Sequence, residues 1–229
     1  RDRGNHGADF LIKDMHRLTL IMKKNYPDLP YVLIGHSMGS YMSRKYASIY
    51  GDELDGVIFL GTGNQPKAVV DSGLKLAHIA KLVRGERYRS ELLNTIMFGA
   101  YNKRIKDNRT ANDWLTKDTK IVDEYLSDPK CSYKFTANAY IGFLNVIKYD
   151  IDKKNIAKTP DKLPVLFASG LEDPVGDYGK GVKKAFKMYT KYVDNVELYL
   201  YEDDRHELHS ETDREDIFSD LYEWIEENV

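Results

Sequence analysis

The chain has 229 residues, 42% hydrophobic and 31% charged, which suits one domain or one domain with an insertion. Its 34 basic and 36 acidic residues leave a formal net charge of -2, so no bulk field draws it to nucleic acid or to an anionic membrane. The single cysteine, Cys131, excludes an internal disulfide and fits a reducing, cytoplasmic setting, and no apolar run reaches the ~18 residues of a membrane span.

The chain opens on a polar, glycine-containing stretch, Arg1-Asp2-Arg3-Gly4-Asn5-His6-Gly7, which reads as a loop without a signal-peptide pattern. Residues 9–24 place Phe10, Leu11, Met15, Leu18, Ile21 and Met22 at helical spacing. Tyr31-Val32-Leu33-Ile34 is a short continuous apolar run, as expected of a parallel strand buried on both faces. A helix is predicted over 40–50 and a second buried strand over 56–61.

Residues 64–160 differ in character. They hold no convincing buried strand, many charges and helical stretches such as 72–83 and 135–147, and read as a helical cap inserted between 1–63 and 161–229. Alternation then resumes: a strand over 163–168, a helix over 178–192, a strand over 196–201, and a last helix over 212–227 opened by a capping box of Thr212 and Glu215. Strands alternating with helices predict an α/β fold with a parallel sheet of about four strands and helices on both faces.

Gly35-His36-Ser37-Met38-Gly39 is a G-x-S-x-G motif lying between a predicted strand and a predicted helix. A turn that tight crowds its neighbours, which accounts for glycine two before and two after the serine. It lifts the Ser37 hydroxyl above the strand end and aims the Met38 N–H at a developing oxyanion. A serine hydroxyl needs a base, and the base an orienting acid. In this architecture both follow in the order Ser, Asp or Glu, His. The strand over 163–168 runs into Ser169-Gly170-Leu171-Glu172-Asp173-Pro174-Val175-Gly176, where Asp173 is the candidate acid and Glu172 the fallback. The strand over 196–201 runs into Glu202-Asp203-Asp204-Arg205-His206-Glu207-Leu208-His209, where His206 is favoured as base over His209, which lies nearer the helix cap. His36 should turn away from the site, His16 and His78 should be solvated on helices, and His6 lies in the opening loop. No H-E-x-x-H or cysteine pair is present, so neither a metal nor another cofactor is expected.

Together these segments resemble the α/β-hydrolase superfamily, and within it the monoacylglycerol lipase and lysophospholipase branch, also described as serine aminopeptidase-like. The likeness is carried by Gly35-His36-Ser37-Met38-Gly39-Ser40, by the acid loop 169–176, and by Asp204-Arg205-His206-Glu207. In the insertion Arg109-Thr110, Asp113-Trp114-Leu115-Thr116 and Asp128-Pro129-Lys130-Cys131 resemble the cap of bacterial members. The resemblance implies hydrolysis of carboxylic esters, of monoacylglycerol or lysophospholipid type, through an acyl-enzyme on Ser37, with Leu92, Phe98 and Trp114 receiving an acyl chain. The same triad would serve a peptidase, and the same fold a non-catalytic binding protein. The family has about eight strands against four read here. No His-Gly loop supplying a second oxyanion donor precedes Ser37 at a suitable distance, and Arg3-Gly4-Asn5-His6-Gly7 resembles a disturbed D-x-x-G-H-G segment. The chain therefore reads as the C-terminal part of such a hydrolase.

Overall fold

The computed structural model describes residues 7–106, 108–131 and 133–229. Four strands, β1 (Val32–His36), β2 (Gly56–Leu60), β3 (Val165–Gly170) and β4 (Val196–Tyr201), form one parallel sheet in the order β1-β2-β3-β4. The register pairs His36 with Leu60, Leu60 with Ala168, and Gly170 with Tyr201. All four strands thus end at one edge of the sheet, and the loops that follow them share that edge.

Side chains alternate across a strand, and β2 and β3 use both sides. Val57, Phe59, Val165 and Phe167 join the larger apolar cluster, with Tyr41, Met42, Tyr46 and Ala47 of α2 (Met38–Tyr50) and Val182, Ala185 and Tyr189 of α8 (Lys180–Tyr189). Ile58, Leu60, Leu166 and Ala168 face the other way, onto Ile217, Leu221 and Trp224 of α9 (Arg214–Asn228). Burial on both faces, read from the apolar run over 56–61, holds for β2, and β3 shares it. It does not hold for β1, where Ile34 is 49% exposed. The order of strands explains this: β1 is an edge of the described sheet.

α1 (Gly7–Asn25) lies against α2. Between β2 and β3 the chain is helical: α3 (Lys67–Arg84), α4 (Glu91–Phe98), α5 (Thr119–Ser127), α6 (Ala137–Asp150) and α7 (Lys153–Ile156). Ser90, Asp118 and Thr136 cap α4, α5 and α6 by accepting from backbone N–H groups of the first turn. α6 packs on both α3 and α2, and its Tyr140, Ile141, Leu144 and Ile147 belong to the same apolar cluster as the sheet. Among the described residues no helix is long and apolar enough to cross a membrane. The capping box read at Thr212 and Glu215 does not form. α9 begins at Arg214, with Asp213 rather than Thr212 in the N-cap position and no side-chain cap.

Candidate active site

Ser37 occupies the junction of β1 and α2 at φ 53°, ψ -121°. A positive φ on a residue with a Cβ is strained, at a cost of about 1–3 kcal/mol, and persists only where the surroundings fix it. Here they do. The Ser37 N–H donates to the Leu60 carbonyl at 3.0 Å, and the Ser37 carbonyl accepts from the Ser40 N–H at 2.9 Å and the Ser40 hydroxyl at 2.6 Å. Gly35 is required by close approach, since a Cβ there would lie 2.3 Å from Ser43 Oγ and 2.5 Å from the Gly39 carbonyl oxygen. The same argument fails at Gly39, where a Cβ would meet nothing within 4 Å; crowding at this turn falls on the strand side only. Met38 opens α2, so its N–H is one of those at a helix start without a carbonyl of its own helix to bond, and it carries the positive end of the helix dipole.

The acid loop leaves β3 at Gly170. Asp173 is 0% exposed, and its Oδ1 accepts from the Val175 N–H at 2.8 Å while Oδ2 lies 3.0 Å from His206 Nδ1. The adjacent candidate Glu172 is exposed; its role in the loop is through its backbone N–H, which donates to the Asp204 carbonyl at 2.8 Å. His206 is buried, and its Nε2 has no hydrogen-bond partner among the described residues. An imidazole whose Nδ1 is held by a carboxylate presents a basic Nε2, the arrangement a general base needs.

The topology alone would leave these groups apart. Neighbouring strands are ~4.8 Å apart, so β1 and β4, three steps from each other, are separated by roughly 14 Å. The loop after β4 closes the gap by folding back over the sheet edge. The His206 ring comes to lie over the end of β2, where a Cβ on Gly61 would be 3.1 Å from its Cε1. The His206 carbonyl meets His36 Nε2 at 3.0 Å, and the two rings are 4.8 Å apart.

A strap from the helical segment completes the enclosure. Trp114 is 8% exposed and its ring centroid lies 5.0 Å from that of His206. Phe98 stacks over Trp114 at 6.5 Å, and Tyr101 meets both rings edge-on, at 5.6 Å from Phe98 and 4.7 Å from Trp114. Phe98, Tyr101 and Trp114 thus form an aromatic wall beside the histidine. Tyr101 was not read from the sequence; burial pushes its hydroxyl pKa upward, with the neighbouring Tyr41 and Asp173 acting in the same direction. Leu92 is not part of this wall. It is 63% exposed, and Leu93 is the buried residue of α4.

The remaining histidines divide differently from the sequence expectation. His36 supports the His206 backbone, and burial, then the nearby His206, lower its pKa to about 3. His209 is exposed and packs edge-on to His36 at 4.7 Å. His16 is half-buried rather than solvated, stacked on Tyr50 at 3.8 Å with Nε2 2.8 Å from Glu53 Oε1, whereas His78 is exposed. His6 and the rest of the disturbed D-x-x-G-H-G segment up to it fall on 1–6, outside the described residues, and its last residue, Gly7, opens α1.

Comparison with known proteins bears on this geometry. The family model of the serine aminopeptidases, S33, matches residues 2–213. A monoglyceride lipase homolog of monkeypox virus is 21% identical over 216 residues, covering 93% of this chain and 69% of its own length. A thermostable carboxyl esterase from Bacillus coagulans superposes with a TM-score of 0.89 at 27% identity, over 99% of this chain and 73% of that one. A lipase in its open form superposes at 0.86 with 28% identity, over 97% and 73%. With the parallel sheet, the serine at a strained strand–helix junction and a match over nearly its whole length, the chain belongs to the serine aminopeptidase family S33 and is an α/β-hydrolase of the monoacylglycerol lipase type.

Proposed function

We propose that this carboxylic ester hydrolase works through an acyl-enzyme on Ser37, with His206 as general base and acid and Asp173 as its orienting partner. The observation that carries the reading is the buried Asp173–His206 pair, whose Nε2, without a partner among the described residues, sits at the same sheet edge as the strained Ser37. Ser37 Oγ attacks the ester carbonyl carbon as its proton passes to His206 Nε2. The carbonyl oxygen takes the electron pair and faces the Met38 N–H. Collapse of the tetrahedral intermediate breaks the bond to the alkoxy group, which leaves with the proton from His206. Water, deprotonated by the same nitrogen, then attacks the acyl carbon and releases the acid and Ser37.

The substrate reading rests on the wall made by Phe98, Tyr101 and Trp114, an apolar surface fit for an acyl chain, and on the monoglyceride lipase relative. We read 64–160 as the cap that selects it. Lipid-like esters of the monoacylglycerol or lysophospholipid type are therefore the proposed substrates.

The test is labelling with a fluorophosphonate probe, wild type beside Ser37→Ala, followed by a panel of p-nitrophenyl esters, monoacylglycerols and peptide p-nitroanilides. Labelling lost in the variant and ester turnover in the wild type are expected. A folded wild type that does not label would reverse the reading in favour of a non-catalytic binding protein. Preference for the anilides would make it a peptidase.

A further inference from the structure

Glu211 belongs to none of the motifs, yet it is 0% exposed. It follows a short 3-10 turn, Leu208–Ser210, just beyond His206. Three donors converge on its carboxylate. The Arg205 N–H meets Oε1 at 2.7 Å, and the Thr116 hydroxyl and the Lys117 N–H each meet Oε2 at 2.9 Å. A buried carboxylate is tolerated only when its oxygens are satisfied, and here the donors come from two separate stretches of chain. One is the residue immediately before the candidate base. The other is the strap that carries Trp114.

The same two stretches are laced together beside it. Glu207 N–H donates to the Leu115 carbonyl at 2.7 Å and His206 N–H to the Trp114 carbonyl at 3.4 Å. The Arg205 guanidinium donates to the carbonyls of Asp113 at 2.7 Å and Thr116 at 3.0 Å. The Glu211 carboxylate accepts from both stretches at once. Both of its oxygens are in use, and each of these partners is a donor.

We infer that Glu211 is a positioning residue: its carboxylate locks the 113–117 strap to the histidine loop, so that the base His206 and the acyl-binding wall at Trp114 are held as one unit. This rests on the proposed roles of Ser37 and His206. A base misplaced by about 1 Å loses on the order of 100-fold in rate. Glu211→Gln keeps the volume but must turn an NH2 group onto one of its donors, which opens the lock without emptying the site.

The test compares wild type, Glu211→Gln, Trp114→Ala and the double variant, with active sites counted by fluorophosphonate titration and each assayed well below its unfolding midpoint. For Glu211→Gln, kcat per titrated site and the labelling rate constant are expected to fall together, by about 10- to 100-fold. With a long-chain p-nitrophenyl ester, Trp114→Ala should cost less when combined with Glu211→Gln than it does in wild type, because the two act as a unit. A merely structural carboxylate would lower the unfolding midpoint and the titratable fraction but leave kcat per site unchanged, and that result, or strict additivity of the two substitutions, overturns the inference. Wild type that never labels removes the Ser37 reading and this inference with it. Wild type that labels beside an unaffected Glu211→Gln removes this inference alone.

Discussion

Gly170→Ala tests how the candidate acid and base are brought together. Gly170 ends β3, and a Cβ built on it would lie 2.0 Å from the Asp204 carbonyl oxygen and 2.4 Å from that of Arg205. Both obstacles are backbone, so no side chain can swing aside. Gly170 itself is held in register with Tyr201 of β4, and the Leu171 N–H donates to the Tyr201 carbonyl at 2.8 Å. The histidine loop must therefore give way, by at least ~1 Å if the contact is to open to an ordinary van der Waals distance. Overpacking of this kind costs roughly 1–3 kcal/mol of stability, and a 1 Å displacement of a catalytic base costs on the order of 100-fold in rate. Thermal melts beside kcat/KM on a p-nitrophenyl ester, corrected for titrated sites, would read both. A Gly170→Ala enzyme that is folded and within threefold of wild type would refute the claim that this contact sets the place of His206.

Other expectations follow from the same geometry. Asp173→Asn, by disturbing the orientation and tautomer of His206, should lower kcat by about 10⁴-fold with labelling slowed in parallel; a loss under tenfold would remove Asp173 from its role. His36 is held near a pKa of about 3 against an ordinary 6.5, so the unfolded chain binds a proton there that the folded chain refuses. Stability should then fall as pH drops below about 6.5, by up to about 1.4 kcal/mol per unit from this group, and level off near 3. Urea melts at pH 7 and 5 should show a shallower pH dependence for His36→Gln than for wild type, and equal slopes would contradict the argument. Trp114→Ala should raise KM for long-chain esters several-fold more than for acetate esters, since the wall it anchors is apolar; an equal effect on both would count against an acyl subsite there.

The sequence by itself singled out Ser37, Asp173 and His206 as candidates because their signals are local. An elbow needs its serine between a strand and a helix, and each later loop is announced by the apolar run that precedes it. The strands of the parallel sheet were legible for the same reason, to within a few residues: β4 spans Val196–Tyr201 as the alternation required. Burial of β1 was misjudged because an apolar run states what a strand could cover, not whether a neighbour is there to cover it. The capping box at Thr212 and Glu215 does not form because α9 starts at Arg214, which puts Asp213 and not Thr212 in the N-cap position.

Only the tertiary structure decided how the groups meet. Strand order puts β1 three places from β4, and nothing in the local sequence says that the loop after β4 folds back over β2, with His36 beneath it. Tyr101 rather than Leu92 completes the aromatic wall because a short helix shows its face only once packed, and one residue's rotation exchanges Leu92 for Leu93. Glu211 lies 94 residues from Lys117. A carboxylate's partners at that separation are set by the folding of two loops onto each other, which no periodicity records.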